Sequence, residues 1–261
     1  MTLALNSDYM FHAHMLGDKA RLQAYRRALK EKISPGDSTV EIGSGTGILS
    51  LIAADLGAAR VDAIEYFGDL CALARTNANG SAGLKPEFHH ASSFEWKSDG
   101  PITGIFSETI GSWGPEENIV EIFADFVSRN SGAKWLMPSR LRLFSQEISS
   151  DAIVRDQLAI AEACASAAEV SGREFAEVEK ALNASYHSQL QCSTFQEREL
   201  IMLTEPSLVK EYHLGRDRSS RFENELTIRS DEANGLHLWF EAELSEGENL
   251  SSHFGSPITH W

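Results

Sequence analysis

Between Lys32 and Phe106, compact apolar runs alternate with apolar positions spaced for a helix. Ser38-Thr39-Val40-Glu41-Ile42 is β-prone and stops at glycine; after it Ile48, Leu49, Leu51, Ile52 and Leu56 recur on one helical face. Gly57 ends that helix, Arg60–Ile64 reads as a second strand, a helix is predicted over about 69–79, and 102–107 reads as a further strand. Strands alternating with helices predict βαβ units and a parallel sheet. The fold class expected is α/β: a Rossmann-like, doubly wound domain over residues 1–137, with an N-terminal helix over 8–33 and the core over 34–137.

The second half has a different texture. Residues 151–188 are rich in Ala and Glu and lack Pro, which predicts a helical arm. Ser171 followed by Glu174 has the pattern of a capping box opening a helix with Phe175, Val178 and Leu182 on one face. Further on, Leu236, Leu238, Phe240, Ala242 and Leu244 alternate with His237, Trp239, Glu241 and Glu243, as in a strand buried on one face. Asn234-Gly235 just before it is a hairpin signal, with Leu226-Thr227-Ile228 as the expected partner strand. Residues 138–261 are thus expected to form an antiparallel β-barrel-like domain carrying the helical arm.

Charge then narrows the partners. Against 23 Lys and Arg stand 38 Asp and Glu, a net charge of -15 in 261 residues, so a binder of bare nucleic acid is excluded as an expectation. No apolar run approaches the ~18 residues of a membrane span. The N-terminus lacks the basic start and apolar core of a secretory signal, so a cytoplasmic protein with no membrane partner is expected. Cys71, Cys164 and Cys192 form no CxxC pair, and His89-His90 has no partner at ligand spacing, so no disulfide framework and no metal site are expected.

Candidate chemistry begins at Glu41-Ile42-Gly43-Ser44-Gly45-Thr46-Gly47, where a strand ends and a helix opens. Glycines suit a tight turn whose backbone approaches a ligand, and the helix start adds N–H donors. Glu65 ends the next strand 22 residues after Gly43, where an acid accepts ribose hydroxyls. A dinucleotide fingerprint would space its glycines differently, and an anionic Glu41 would repel a pyrophosphate while suiting a cationic ligand. The sulfonium and amino group of S-adenosylmethionine meet that requirement, and the motif resembles that of class I methyltransferases.

Downstream, Ser107-Glu108 follows the strand over 102–106, and Glu117 comes nine residues after Glu108. Two carboxylates on one loop at the end of a strand can bracket a planar cation such as a guanidinium. The adjacent Glu116 competes with Glu117 for the second place. The pattern S-E-x-x-G-x-x-x-x-x-E resembles the double-glutamate loop of the protein arginine methyltransferases, and 43–50 is similar to that family's cofactor loop. His12, Met15, Leu16, Asp18, Arg21 and Tyr25 match the family's pre-sheet segment, and Thr259-His260-Trp261 matches its THW loop.

The resemblance covers nearly the whole chain and implies specific roles. Arg21 would pair with the cofactor carboxylate; Met15 would pack at the methyl-transfer site, with His12 beside the cofactor. Ser93 and Phe94 would sit at the adenine, although Phe94 reads equally well as core. Glu41, Gly43, Ser44, Gly45, Gly47 and Glu65 complete the cofactor set. Glu108 and Glu117 would hold the guanidinium, Trp261 would wall its pocket, and His260 would pair with Asp18. The implied activity is S-adenosylmethionine-dependent methylation of a guanidino group, in protein or peptidyl arginine or in a small guanidino compound. The arm implies a homodimer. A catalytically silent cofactor-binding subunit and an O- or C-methyltransferase remain the alternatives. Ile119 stands where the family has a second methionine, and the family continues past THW, so a compact or truncated variant is expected.

Overall fold

The computed structural model describes residues 9–80, 83–188 and 200–257. Where one leading helix is expected there are two, α1 (Tyr9–Gly17) and α2 (Lys19–Lys32). Asp18 makes the break: its carboxylate accepts the Arg21 amide at 2.9 Å and caps α2. Ala24, Tyr25, Ala28 and Leu29 then recur on one face of α2, and all are buried.

The parallel sheet is built as the apolar pattern predicts. Its strands are β1 (Ser38–Ile42), β2 (Arg60–Glu65), β3 (Glu87–His90), β4 (Gly104–Ser107) and β5 (Trp135–Met137), in the order β3-β2-β1-β4-β5. All four pairings are parallel. The crossovers run through α3 (Ile48–Asp55), α4 (Gly68–Ala78) and α5 (Ile119–Arg129). Both faces of such a sheet are covered, which is why Val40, Ile42, Val61, Ile64, Ile105 and Phe106 are buried without alternation. In α5, Ile119, Val120, Phe123 and Phe126 supply the buried stripe. The strand order reverses between β1 and β4, and the crevice beyond the carboxyl ends of those strands is where a doubly wound sheet binds ligands.

A second five-stranded sheet is formed by β6 (Arg140–Ser149), β7 (Ile201–Met202), β8 (Ser207–His213), β9 (Gly235–Ser245) and β10 (Glu248–Ser251). Its order is β10-β9-β6-β7, with β8 also on β6, and the β9/β10 and β6/β7 pairs are antiparallel. Phe240, Ala242 and Leu244 are buried as the alternation in β9 predicts, but the pattern fails at the start of the strand, where Leu236 is exposed and Trp239, expected on the other face, is buried and stacked on Phe144. The helical arm consists of α6 (Asp151–Ser171) and α7 (Ala176–Ser188). The chain divides into two compact units, one made of residues up to 144 with 208–224 and from 239 onward, the other of 145–207 and 225–238. Among the described residues no helix is long and apolar enough to cross a membrane.

Two local expectations are corrected. Ser171 closes α6 rather than opening the next helix: Gly172 follows in a left-handed C-cap with φ 67°, and the Ser171 hydroxyl donates back to the Ala167 carbonyl. Asn234-Gly235 does not turn a hairpin onto 226–228, where Leu226 and Ile228 lie exposed outside any strand. Instead the Asn234 amide group pairs with the backbone of Ser150, accepting its N–H at 2.9 Å and donating to its carbonyl at 3.0 Å.

Candidate active site

The turn between β1 and α3 carries three glycines at positive φ: Gly43 at 71°, Gly45 at 51° and Gly47 at 82°. A Cβ on Gly43 would meet Thr109 Cγ2 at 2.5 Å, and one on Gly47 would meet the Phe88 ring at 2.7 Å. The loop can therefore approach Thr109 and the Phe88 ring of β3 only as glycine. Glu65 fixes its shape from the end of β2: one carboxylate oxygen accepts the Gly45 amide at 2.7 Å and the other the Phe67 amide at 2.8 Å.

This turn forms one wall of a pocket of about 700 Å³ at the switch point of the sheet. Twelve of the sequence-predicted residues line it: His12, Met15, Arg21, Glu41, Gly43, Ser44, Gly45, Glu65, Ser93, Phe94, Glu108 and Glu117. Gly47 does not, because it turns into the helix against Phe88. Asp18 does not either; it serves α2. His260 and Trp261 lie outside the described residues. Phe94 is half-exposed on the pocket rim rather than part of the core.

Glu117 lines the pocket, whereas Glu116 turns back onto its own loop, accepting the Trp113 amide at 2.8 Å and packing against Gly111. Ile119 is wholly buried in the core and does not line the pocket.

The electrostatics differ from the sequence expectation at two places. Glu41 is not an open anion at the mouth of the loop but is buried, accepting a hydrogen bond from the Ser50 hydroxyl. Burial pushes its carboxyl up to about 8, so it is largely protonated at neutral pH. Arg21 is paired within the protein: its Nη1 lies 3.0 Å from Glu108 Oε2 and its Nη2 donates to the Met15 carbonyl at 2.9 Å. Burial still raises Glu108 to about 8, with Arg21 opposing the shift and Glu117 and Asp18 adding to it. Glu117 reaches solvent but sits recessed among the pocket walls, and that partial loss of water, with Glu116 beside it, raises it to about 7. Three carboxyls of raised proton affinity thus face one cavity, which favours an incoming cation over an anion.

Buried polar atoms here lack partners among the described residues: Glu108 Oε1, Arg21 Nε and Ser44 Oγ. An acceptor, a donor and a hydroxyl around one pocket fit a ligand that carries both charge signs, as the amino-acid end of S-adenosylmethionine does. Tyr66 and Phe67, which no motif marks, form an edge-on aromatic pair with centroids 5.5 Å apart that lines the pocket directly after Glu65. Two aromatic residues following a strand-end acid are their only signal in the sequence. Tyr25 has a structural task beyond its place in the leading segment: its buried hydroxyl donates to the Ser107 carbonyl at 3.0 Å and holds the residue before Glu108.

Comparison with known proteins agrees with this geometry. No protein-family model matches the chain. The arginine N(omega)-methyltransferase of Streptomyces achromogenes subsp. streptozoticus is 26% identical over 267 aligned positions, covering 96% of this chain and 69% of that protein. A probable protein arginine N-methyltransferase 3 of Oryza sativa subsp. indica is 42% identical over 78 residues, 28% of this chain and 13% of the relative. The solved structure of Arabidopsis thaliana protein arginine methyltransferase 10 superposes with a TM-score of 0.77 at 21% identity, covering 96% of this chain and 80% of that one. The Trypanosoma brucei enzyme–prozyme heterotetramer, solved with S-adenosylhomocysteine, gives 0.75 at 19% identity, covering 97% and 80%. Along nearly its whole length the chain is thus similar to an arginine N-methyltransferase, and it shares the fold of the protein arginine methyltransferases.

Proposed function

We propose that this chain transfers a methyl group from S-adenosylmethionine to a guanidino nitrogen of arginine, free or within a peptide. The observation that carries the reading is the convergence of Glu108 and Glu117 on the pocket that the glycine loop and Glu65 also line. S-adenosylmethionine would supply an electrophilic methyl carbon on a sulfonium, the S–CH3 bond breaking as N–CH3 forms and the neutral thioether S-adenosylhomocysteine leaving. The glycine-loop amides, Glu65 and Arg21 bind and orient the cofactor. Glu108 and Glu117 accept N–H bonds from two guanidino nitrogens and draw positive charge toward them, which leaves the third nitrogen freer to attack. Positioning and fixed charge supply most of the rate gain. The Asp18–His260 pair is the proposed destination of the released proton.

Of the relatives aligned along nearly the whole chain, one is named for arginine itself and another for protein arginine, each 26% identical, so free arginine and arginine peptides are assayed side by side. The test is incubation with methyl-labelled cofactor and, separately, free arginine, arginine peptides and a cell lysate. Label in a guanidino product supports the proposal. Cofactor binding without transfer to any of them would instead establish a silent subunit, and label on oxygen or carbon a different acceptor.

We further propose a homodimer through the arm, on which Val154, Leu158 and Val170 are exposed. Light scattering at micromolar concentration should give twice the chain mass; a monomer overturns this. A cytoplasmic address is proposed because the cofactor is made inside cells.

A further inference from the structure

Ser93 and Phe94 line the pocket from the segment after β3, and what holds that segment is a residue far along the chain. Arg129, the last residue of α5, donates from Nη2 to the Ser93 carbonyl at 2.6 Å and from Nη1 to the Trp96 carbonyl at 2.8 Å. Its Nε and Nη2 also engage Asp125 Oδ2, at 3.0 and 2.6 Å, so the fork is oriented by a partner one turn earlier on the same helix. The guanidinium lies 5.2 Å over the Phe126 ring, and Phe126 stacks on Trp96 with centroids 6.0 Å apart. Within the segment, the Glu95 and Trp96 amides both donate to the Ser92 carbonyl at 3.0 Å, closing a turn that presents Ser93 and Phe94 to the cavity.

We infer that Arg129 is a positioning residue that fixes segment 92–96 as one wall of the pocket, and thereby sets affinity for the nucleoside end of the ligand without touching the reacting atoms. A single planar fork donates at once to two carbonyls three residues apart and to Asp125, a fixed geometry that the shorter, rotating donors of Lys do not reproduce. The same helix begins immediately after Glu117 and contributes Ile122 to the pocket. Arg129 therefore ties the wall at Ser93 and Phe94 to the helix that carries the clamp loop. The effect on ligand binding rests on the function proposed above; the effect on the segment does not.

The experiment compares wild type, Arg129→Gln, Arg129→Lys and the control Arg27→Gln, which breaks the exposed ion pair to Glu248 with the same change of charge. Hydrogen exchange of the 94–96 amides, S-adenosylhomocysteine binding by calorimetry, and cofactor KM and kcat are read. For Arg129→Gln, exchange should quicken, and Kd and cofactor KM should rise about tenfold with kcat within about twofold, as expected for losing charge-assisted bonds to the wall alone. Arg129→Lys should lie nearer Gln than wild type, and Arg27→Gln should match wild type. Unchanged exchange in Arg129→Gln overturns the inference, as does quickened exchange with unchanged Kd, or kcat falling in step with KM. If wild type binds no S-adenosylhomocysteine, the proposed function fails, and the exchange comparison alone decides the role of Arg129.

Discussion

Arg21 Nη1 stands 3.0 Å from Glu108 Oε2, with the two side chains 2% and 5% exposed. The pair joins the leading helices to the end of β4, so the basic residue assigned to the cofactor is also the counter-ion of the first clamp carboxylate. Removing one member of a buried pair leaves the other without compensation. Arg21→Gln should therefore destabilise the protein by about 3 kcal/mol, read as a lowered urea midpoint. A midpoint within error of wild type would show that the pair carries no stability.

Glu108→Gln keeps the shape of the side chain and loses the charge proposed to meet the guanidinium. Turnover should fall by about 100-fold or more, while S-adenosylhomocysteine affinity changes only a few-fold. Glu117→Gln should act in the same way, and Glu116→Gln, whose carboxylate serves the Trp113 amide, should retain most activity. Loss of activity on changing Glu116 with retention on changing Glu117 would reverse the assignment.

The pH dependence follows from the three raised carboxyls. Glu41 and Glu108 are held near 8 and Glu117 near 7, chiefly by burial, against an ordinary value of 4.5. Between those values the folded protein holds protons that the unfolded chain has released, so stability falls as pH climbs from about 4.5 to about 8. The ligand-free urea midpoint should be higher at pH 6 than at pH 8.5. A cationic ligand favours the ionised carboxylates, so binding should release protons at pH 7, measured as a calorimetric heat that depends on the buffer. A higher midpoint at pH 8.5 contradicts the assignment.

Gly43→Ala meets two obstacles at once, a φ of 71° and the Thr109 methyl at 2.5 Å. Thr109→Ser removes that methyl and retains the hydroxyl facing Ser107. The fall in Tm caused by Gly43→Ala should shrink but persist in the Thr109→Ser background, because only the contact is relieved. Equal falls in both backgrounds would mean that backbone strain is the whole cost.

What the sequence made legible is what a short stretch encodes by itself. The glycine turn with Glu65, and Ser107-Glu108 at a strand end, each combine spacing with an adjacent element, and the structure brings both to one crevice. Three features escaped because their partners are distant. Nothing near residue 21 announces residue 108, nothing near Arg129 announces Ser93, and the Asn234 amide meets Ser150 where hairpin statistics favour a turn. The Ser171 reading failed more locally: Ser-x-x-Glu suits a helix start, but Gly172 in the left-handed conformation makes a helix end there.

Glu65 answers two main-chain amides, Gly45 and Phe67, before any ligand arrives. The carboxylate is thus owed to the scaffold as well as to the ribose it is proposed to hold. A descendant of this protein that abandoned catalysis would still be bound to keep an acid at that position by its own backbone. In sequences of this kind, persistence of the strand-end acid testifies first to the architecture of the turn, and the clamp glutamates are the better witnesses to a living enzyme.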